Sequence, residues 1–482
     1  MFAPKSYSVI QLPISLLKAN EYNVSTERAS LCDIGAEEVD MGYGMGVRQL
    51  FKLTGVDPES TDRIDSVVCI DISNAKDEDI EYLYRNGIVL NGKCFVISER
   101  SQSMGRHNIL TAVDAEVYDR FTAACLMDID TSSSKKYVIS KLKAYMGLMF
   151  SACHILEGFR PYIVIIPDCE RTIKEQMVSY CKEEEVVSKN GDKYKRLCLK
   201  TEKKDIKMNL FDGGGIHTPG ITDELKRRLG AKERPTSAII RGPFIKGLSN
   251  EFDIKGFAAE KGITTITDYW GIEHNIADID MIFTESMYKG LKFMDEYHDE
   301  RDWDKYWQAF EKYDHAFGIV KWNYSEEQEP VYTRLNYQIL QDLNVSNDEF
   351  LKLSDYSKKL FEGVVYGDKE VIWNFAGLTY EKHTDKRTKT SYLVPPRSDD
   401  SYARAILKNP ECLKDPQVQK HFYGLILKYI DEMKCGKVYA RCSFRFLVPD
   451  LVALAEHALG LPVVGVLKEG ECFTQSKSVG CL

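Results

Sequence analysis

Three short segments of this chain combine a cation or a carboxylate with glycine in ways that suit phosphate chemistry. Asp212-Gly213-Gly214-Gly215 follows the strand-like run Met208 to Phe211. Its glycines let the backbone turn tightly, or come close to another chain or a phosphate. Ile240 to Gly247 reads IRGPFIKG, with Arg241 and Lys246 set among apolar residues and glycines. A lysine held beside glycine on a strand can deliver one fixed positive charge to a phosphate without steric obstruction. Ser286-Met287-Tyr288-Lys289 closes the strand-like run Met281 to Glu285. Taken singly, each segment reads equally as a tight turn or a solvated charge. Asp212 to Gly215 is not a Walker loop, since no G-K-[ST] follows, and it is not a G-x-G-x-x-G dinucleotide fingerprint.

Metal and nucleophile chemistry has weaker support. The 13 cysteines form no C-x-x-C pair, which fits reduced thiols and not a disulfide framework or a zinc site. None of the nine histidines stands at ligand spacing from another histidine or a cysteine, and the adjacent Cys153 and His154 read as structural. Asp128 with Asp130, and Asp278 with Asp280, have the i, i+2 spacing that puts two carboxylates on one side of a strand. Tyr366-Gly367-Asp368 reads as a turn.

The chain has 482 residues, enough for several domains, and a net charge of -9 that argues against a wholly basic nucleic-acid binder. A local basic groove stays compatible with that sum, because phosphate contacts depend on where the lysines sit. No secretory leader and no apolar run of membrane-spanning length is visible, so a cytoplasmic protein without membrane contact is expected.

The elements that must position the motifs read as mixed. Val67 to Ile72, Ile163 to Ile166 and Ala238 to Ile240 are β-branched runs bounded by turn formers, the pattern of buried strands. Val186 to Leu199 reads as a hairpin turning at Asn190-Gly191. Tyr137 to Leu156 reads as a buried helix. After Lys292 the texture becomes helical, with an aromatic stripe of Trp303, Trp307, Phe310, Tyr313 and Phe317 that suits core packing. Ser346 and Glu349 form an S-x-x-E capping box, ahead of a packed side of Leu351, Leu353, Tyr356, Leu360 and Phe361. Lys382 to Asp400 reads as a surface loop or β-excursion, and Pro416 to Lys434 as another helix. Strand texture returns at Lys437 to Phe446 and Pro462 to Leu467.

In this order and at these spacings the three landmarks resemble the first double-psi β-barrel of cellular RNA-dependent RNA polymerases. That family includes eukaryotic RNA-silencing polymerases and related phage enzymes, and shows D-G-x-G, then I-R-x-x-x-x-K-G, then S-M-x-K. The likeness extends to SERSQSMGR (98–106), KAYMGLMFSAC (143–153), RLNYQILQDLNVSNDEF (334–350) and SFRFLVPDLVALAEHALGLPVVGVLKEGECF (443–473).

The resemblance implies an α+β, multi-domain chain with one complete double-psi β-barrel, a helical linker and the start of a second barrel. Its parts would be an N-terminal mixed module at 1–200, the first barrel at 201–295, the linker at 296–434 and the opening strands of a second barrel at 435–482. It assigns the catalytic phosphate contacts to Lys246 and Lys289, and barrel turns to Asp212, Gly213, Gly215 and Gly247. Arg106 and Arg241 become candidate RNA-backbone contacts, Arg241 being equally a structural ion-pair partner. RNA template and nucleoside triphosphates are the implied ligands.

One departure matters. The family's D-x-D-G-D loop, whose carboxylates hold Mg²⁺, occurs nowhere in the 482 residues. No metal ligand is therefore assigned to this chain, and Mg²⁺ is expected only in a complete assembly. Two expectations follow: a polymerase component completed by a second polypeptide, or a truncated, non-catalytic RNA-binding remnant.

Overall fold

The computed structural model describes residues 4–99, 108–129, 139–187, 193–292, 302–323, 332–336, 340, 344–368, 371–372, 375, 381–384, 391–394, 401–442, 445–468, 471 and 473. The chain divides into two compact units, 1–325 with 446–482, and 326–445. Among the described residues no helix is long and apolar enough to cross a membrane.

The larger unit holds two seven-stranded sheets. The first comprises β1 (Ser6–Pro13), β2 (Asn23–Val24), β3 (Glu37–Gly42), β4 (Arg63–Asp71), β5 (Ile88–Leu90), β6 (Lys93–Glu99) and β7 (Ile109–Asp114), in the order β2-β5-β6-β7-β4-β1-β3. Alternation along its central strands decides its two cores. Val9, Val67, Cys69 and Val113 enter one cluster with Leu50 and Phe121, while Ile10, Leu12, Val68, Ile70 and Ala112 enter another with Leu83 and Phe95. Successive side chains point to opposite faces, so a sheet covered on both sides needs apolar residues at nearly every central position. The run Val67 to Ile72 has that composition, and its residues up to Asp71 lie in β4, a buried interior strand paired with β1 and β7.

The second sheet carries the motifs. Its strands are β8 (His154–Leu156), β9 (Ile163–Ile166), β12 (Gly214–His217), β13 (Ser237–Gly242), β14 (Ile245–Glu251), β17 (Met281–Thr284) and β18 (Phe317–Trp322). Between them come β10 (Glu170–Val187), β11 (Lys193–Asn209), β15 (Thr265–Thr267) and β16 (Glu273–Asn275), which form two separate ribbons. The sheet order is β8-β18-β13-β14-β12-β17-β9, with β12 parallel to β14 and β17 parallel to β9. This is a curled half-barrel. Its ladders end at β8 and β9 and do not close into a ring among the described residues.

The hairpin expected at Val186 to Leu199 is the tip of the β10–β11 ribbon, which pairs from Glu170 with Asn209 to Val187 with Lys193. Its turn at Asn190-Gly191 lies outside the described residues. Both faces of the ribbon meet solvent along most of its length.

Several local expectations need correction. Among the described residues of Tyr137 to Leu156 the helix is Ile139–Leu148, and His154–Leu156 is an edge strand on β18. Tertiary pairing decides this, since Gly318 leaves no side chain over Cys153, whose Sγ would stand 2.4 Å from an added Cβ. The aromatic stripe is shared between the helix Asp302–Lys312, the residue after it and β18, where Phe317 lies. Its most buried member is Phe310, and Tyr306, stacked on Trp303, is buried beside it.

In the smaller unit the Ser346 box forms as expected, with Glu349 N donating to Ser346 Oγ at 3.3 Å and Ser346 N to Glu349 Oε2 at 2.9 Å. The packed side of that helix, Asn347–Val365, is however Ser354, Ser357, Phe361 and Val364, while Leu351 is 63% exposed. Ser357 faces inward because its Oγ accepts the Tyr439 amide at 2.8 Å. Lys382 to Asp400 contains a two-stranded ribbon, Glu381–Thr384 on Ser391–Val394. The helix Pro416–Lys434 has its expected bounds.

Among the described residues, Lys437 to Phe446 supplies only the two-residue strand Tyr439–Ala440. Pro462 to Leu467, in the larger unit, forms no strand. Carboxylates take its amides instead: Glu456 Oε2 accepts from Val464 and Gly465, and Asp450 Oδ2 from Val466 and Leu467, all at 2.7–2.9 Å.

Candidate functional site

The three glycine-bearing motifs meet on the second sheet. A two-residue loop, Pro243-Phe244, joins β13 to β14, so Arg241 pairs directly with Lys246 and Gly242 with Ile245. Proline suits the first loop position because its φ is fixed, but Phe244 sits at φ +53°, a left-handed conformation that is rare for a bulky residue. Two backbone hydrogen bonds hold that strained loop to the third motif. Lys289 N donates to Phe244 O at 2.7 Å, and Lys246 N donates to Met287 O at 3.1 Å.

The first motif is locked in from the other side. Gly213, at φ +65°, donates its amide to Ser286 Oγ at 2.8 Å and accepts the Leu248 amide at 2.9 Å. A Cβ at Gly247 would stand 2.3 Å from Gly213 O and 2.6 Å from Met287 Cγ, so glycine is required there by space alone. A Cβ at Gly215 would stand 2.9 Å from Ile282 O. Asp212 stands exposed beside this crossing.

The four cations assigned from sequence have different placements. Lys246 is exposed on β14; burial along its stem pushes its ammonium pKa down, Arg241 pushes the same way, and Asp212 opposes both. Lys289 is half-buried and donates its ammonium to Ser286 O, the first residue of its own motif. Arg241 is half-buried, donates Nη1 to Ile240 O at 3.0 Å, and leaves Nε without a partner. Burial lowers its pKa as well. No carboxylate reaches Arg241 within ion-pair distance among the described residues, which does not favour the ion-pair role. Arg106 lies outside the described residues.

Asp168 and Tyr145 complete the surroundings and were not singled out from sequence. Asp168 Oδ1 accepts the Ser286 amide at 2.9 Å, and Asn209 Nδ2 donates to Ser286 Oγ at 3.2 Å. The root of the β10–β11 ribbon is therefore fastened to the third motif. An Asp directly after the apolar run Ile163 to Ile166 and Pro167 was the available signal. Tyr145 lies near Asp212, whose charge adds to burial in raising the phenol pKa, and its ring stands 6.2 Å from that of Phe244. The Arg241–Lys246 pairing was also legible in principle, since R-G-P-F-I-K places a two-residue loop between two β-runs.

The acidic pairs do not converge. Asp128 accepts from Lys312 Nζ at 2.7 Å and from the Tyr313 hydroxyl, and Asp130 lies outside the described residues. Asp280 Oδ2 accepts the Tyr162 amide at 2.9 Å, and Asp278 belongs to a 3-10 turn. Asp368 caps a turn in the smaller unit, accepting the Val371 amide at 3.2 Å. No group of three or more His, Cys, Asp or Glu side chains converges among the described residues. The described donor set therefore does not fit a catalytic Mg²⁺. Burial pushes the Cys153 thiol up to about 12, which removes it as a nucleophile at neutral pH.

No protein-family model matches the chain. In sequence it is 28% identical over 323 residues to the DNA-directed RNA polymerase YonO of Bacillus phage SPbeta, covering 66% of this chain and 32% of that relative. The chain thus spans about a third of the length of the curated relative it matches. In structure it is similar to the RNA-dependent RNA polymerase QDE-1 from Thielavia terrestris, at TM-score 0.39 and 11% identity over 78% of this chain and 35% of that one. That superposition is too loose to carry an argument. In sequence the chain is thus similar to part of a phage RNA polymerase, and its motifs stand in the order of the family they resemble.

Proposed function

We propose that this chain supplies the lysine-bearing side of the catalytic cleft of an RNA polymerase, with Lys246 and Lys289 facing nucleotide and RNA phosphates. The observation that carries the reading is the convergence of the three motifs, through Gly213 on Ser286, Lys246 on Met287 and Lys289 on Phe244. Nucleotidyl transfer builds negative charge on phosphate oxygens, and preorganised cations on a rigid sheet stabilise it without reorganising. In this reading the curled sheet is the described part of a double-psi barrel.

The reading assigns Mg²⁺ to carboxylates outside these 482 residues, on a second polypeptide or a further stretch of chain, because no D-x-D-G-D occurs here. RNA and nucleoside triphosphates are the ligands, and a reducing cytoplasm suits the scattered thiols. Template choice is part of the proposal: the motifs favour RNA, while the phage relative is named as DNA-directed.

The test is nucleotide incorporation with Mg²⁺ on RNA and on DNA templates, by the chain alone and with an added D-x-D-G-D polypeptide. Synthesis only in the combined reaction, and its loss in Lys246→Ala, supports the reading. Robust synthesis by the chain alone would overturn the split of roles. Failure of the chain to bind RNA, nucleotide or polyphosphate at all would point instead to a remnant without cleft function.

A further inference from the structure

Arg241 and Lys246 pose a problem that the ladder geometry makes definite. They are direct partners across the antiparallel β13–β14 pair, so both side chains leave the same face of the sheet. Like charges placed directly opposite each other destabilise a sheet. The usual remedy is a neighbouring carboxylate, and neither residue has one at ion-pair distance among the described residues. Arg241 spends one donor on the carbonyl beside its own residue and leaves Nε unmet. On its other side β13 pairs Arg241 with Gly318, which offers no side chain, and the thiol behind it is Cys153, neutral at ordinary pH.

We propose that Arg241 is a positioning residue that acts through Lys246: facing it across the ladder with no ion-pair partner among the described residues, it makes the pair a receptor for one phosphate group, which Lys246 contacts. This rests on the cleft reading above and sharpens it, because it removes Arg241 from the direct RNA contacts. An anion that settles on Lys246 relieves the repulsion between the two cations, so the pair favours the phosphate-bound state over the empty one. Among the described residues the charged groups that act on Lys246 are Arg241 on β13 and Asp212 on the turn before β12, while the Lys289 ammonium is held by Ser286 O. Tyr145 stands beyond Asp212. Among the described residues, Arg241 adds the repulsion, and a single substitution there removes it without touching the backbone bonds of the three-motif crossing.

The experiment measures the ionisation of individual lysines in the whole chain by pH-dependent amine labelling read by mass spectrometry, which needs no polymerase activity. Arg241→Gln is expected to raise the apparent pKa of Lys246 by about one unit and leave Lys289 in place, while Arg241→Lys keeps the wild-type profile. Should Arg241→Gln not fold, the wild-type protein answers alone. Raising ionic strength screens the repulsion and lifts the Lys246 value, which burial by itself would not do. Tripolyphosphate is the probe ligand, expected to protect Lys246 from labelling roughly fivefold less well in Arg241→Gln than in wild type. A Lys246 profile unmoved by both the substitution and salt, with protection equal in the two proteins, overturns the proposal and leaves the cleft reading standing. Absence of protection in the wild-type protein overturns both.

Discussion

The two seven-stranded sheets of the larger unit have equal strand numbers and opposite characters. The first spends both of its faces on cores, with Val9, Leu12, Leu50, Ile70 and Phe121 all fully buried and each side chain doing what its alternation dictates. The second puts two cations opposite each other, keeps Phe244 in a left-handed conformation and presses Gly247 against Gly213 O. Conflicts of this kind persist only where the surrounding structure over-determines them, and they gather at functional sites. The contrast teaches that strand pairing alone does not distinguish the two sheets; the violations do, and they fall at the three motifs.

The largest effect belongs to the first sheet. Phe121→Ala should cost about 3–5 kcal/mol, through lost burial and the cavity left behind. Urea denaturation measures it, and a loss under about 1 kcal/mol would mean that this core is not closely packed.

Acid should come next and act on both regions. His217 in β12 is held by burial at about 3, with Nδ1 2.9 Å from Ser249 Oγ, and His315 at about 4, with Nε2 2.9 Å from Ala124 O. Both folded values lie below the ordinary one, so the unfolded chain takes up the protons first. The stability these two neutral imidazoles contribute is complete above about pH 6.5 and falls as the pH drops toward 4, by up to about 1.4 kcal/mol per pH unit for each. His315→Gln should flatten that slope by about one proton's worth in acid titrations of the melting temperature; an unchanged slope would show that the imidazole is not kept neutral.

Gly247→Ala is the middle case. The new Cβ meets backbone at 2.3 Å, and overpacking of this kind costs about 1–3 kcal/mol. It should also weaken RNA binding by parting the crossing of the three motifs. Retained stability together with retained binding would refute the crossing as the organising feature.

The smallest effect on stability is expected for Lys246→Ala, within about 0.5 kcal/mol either way, while polyphosphate binding falls. Lys289→Ala should instead lose about 1 kcal/mol by releasing Ser286 O. Equal stability losses in the two variants would erase the difference drawn between these lysines.

Much of this site was legible because its residue types leave few options. Glycines at 213, 215 and 247 stand where backbone meets backbone, and the runs Ile163 to Ile166 and Ala238 to Ile240 have no polar residue to offer solvent. What was not legible came from partners distant in sequence. His154 reads as helix until β18 arrives from residue 317 onward to pair with it. Leu351 looks like core until Ser357 turns inward to meet the Tyr439 amide. Val464 to Leu467 look like strand until Glu456 and Asp450 take their amides.

Lys246 and Lys289 show the division most plainly. By itself the sequence determined that each is a cation beside glycine in an ordered motif, because composition and spacing are local properties. Only the tertiary structure decided that Lys289 turns back onto Ser286 O while Lys246 faces Arg241 and solvent. The reason is electrostatic: the surroundings of an ammonium are set by whichever carbonyls, carboxylates and cations the strand order brings to it, and strand order is a property of the whole sheet.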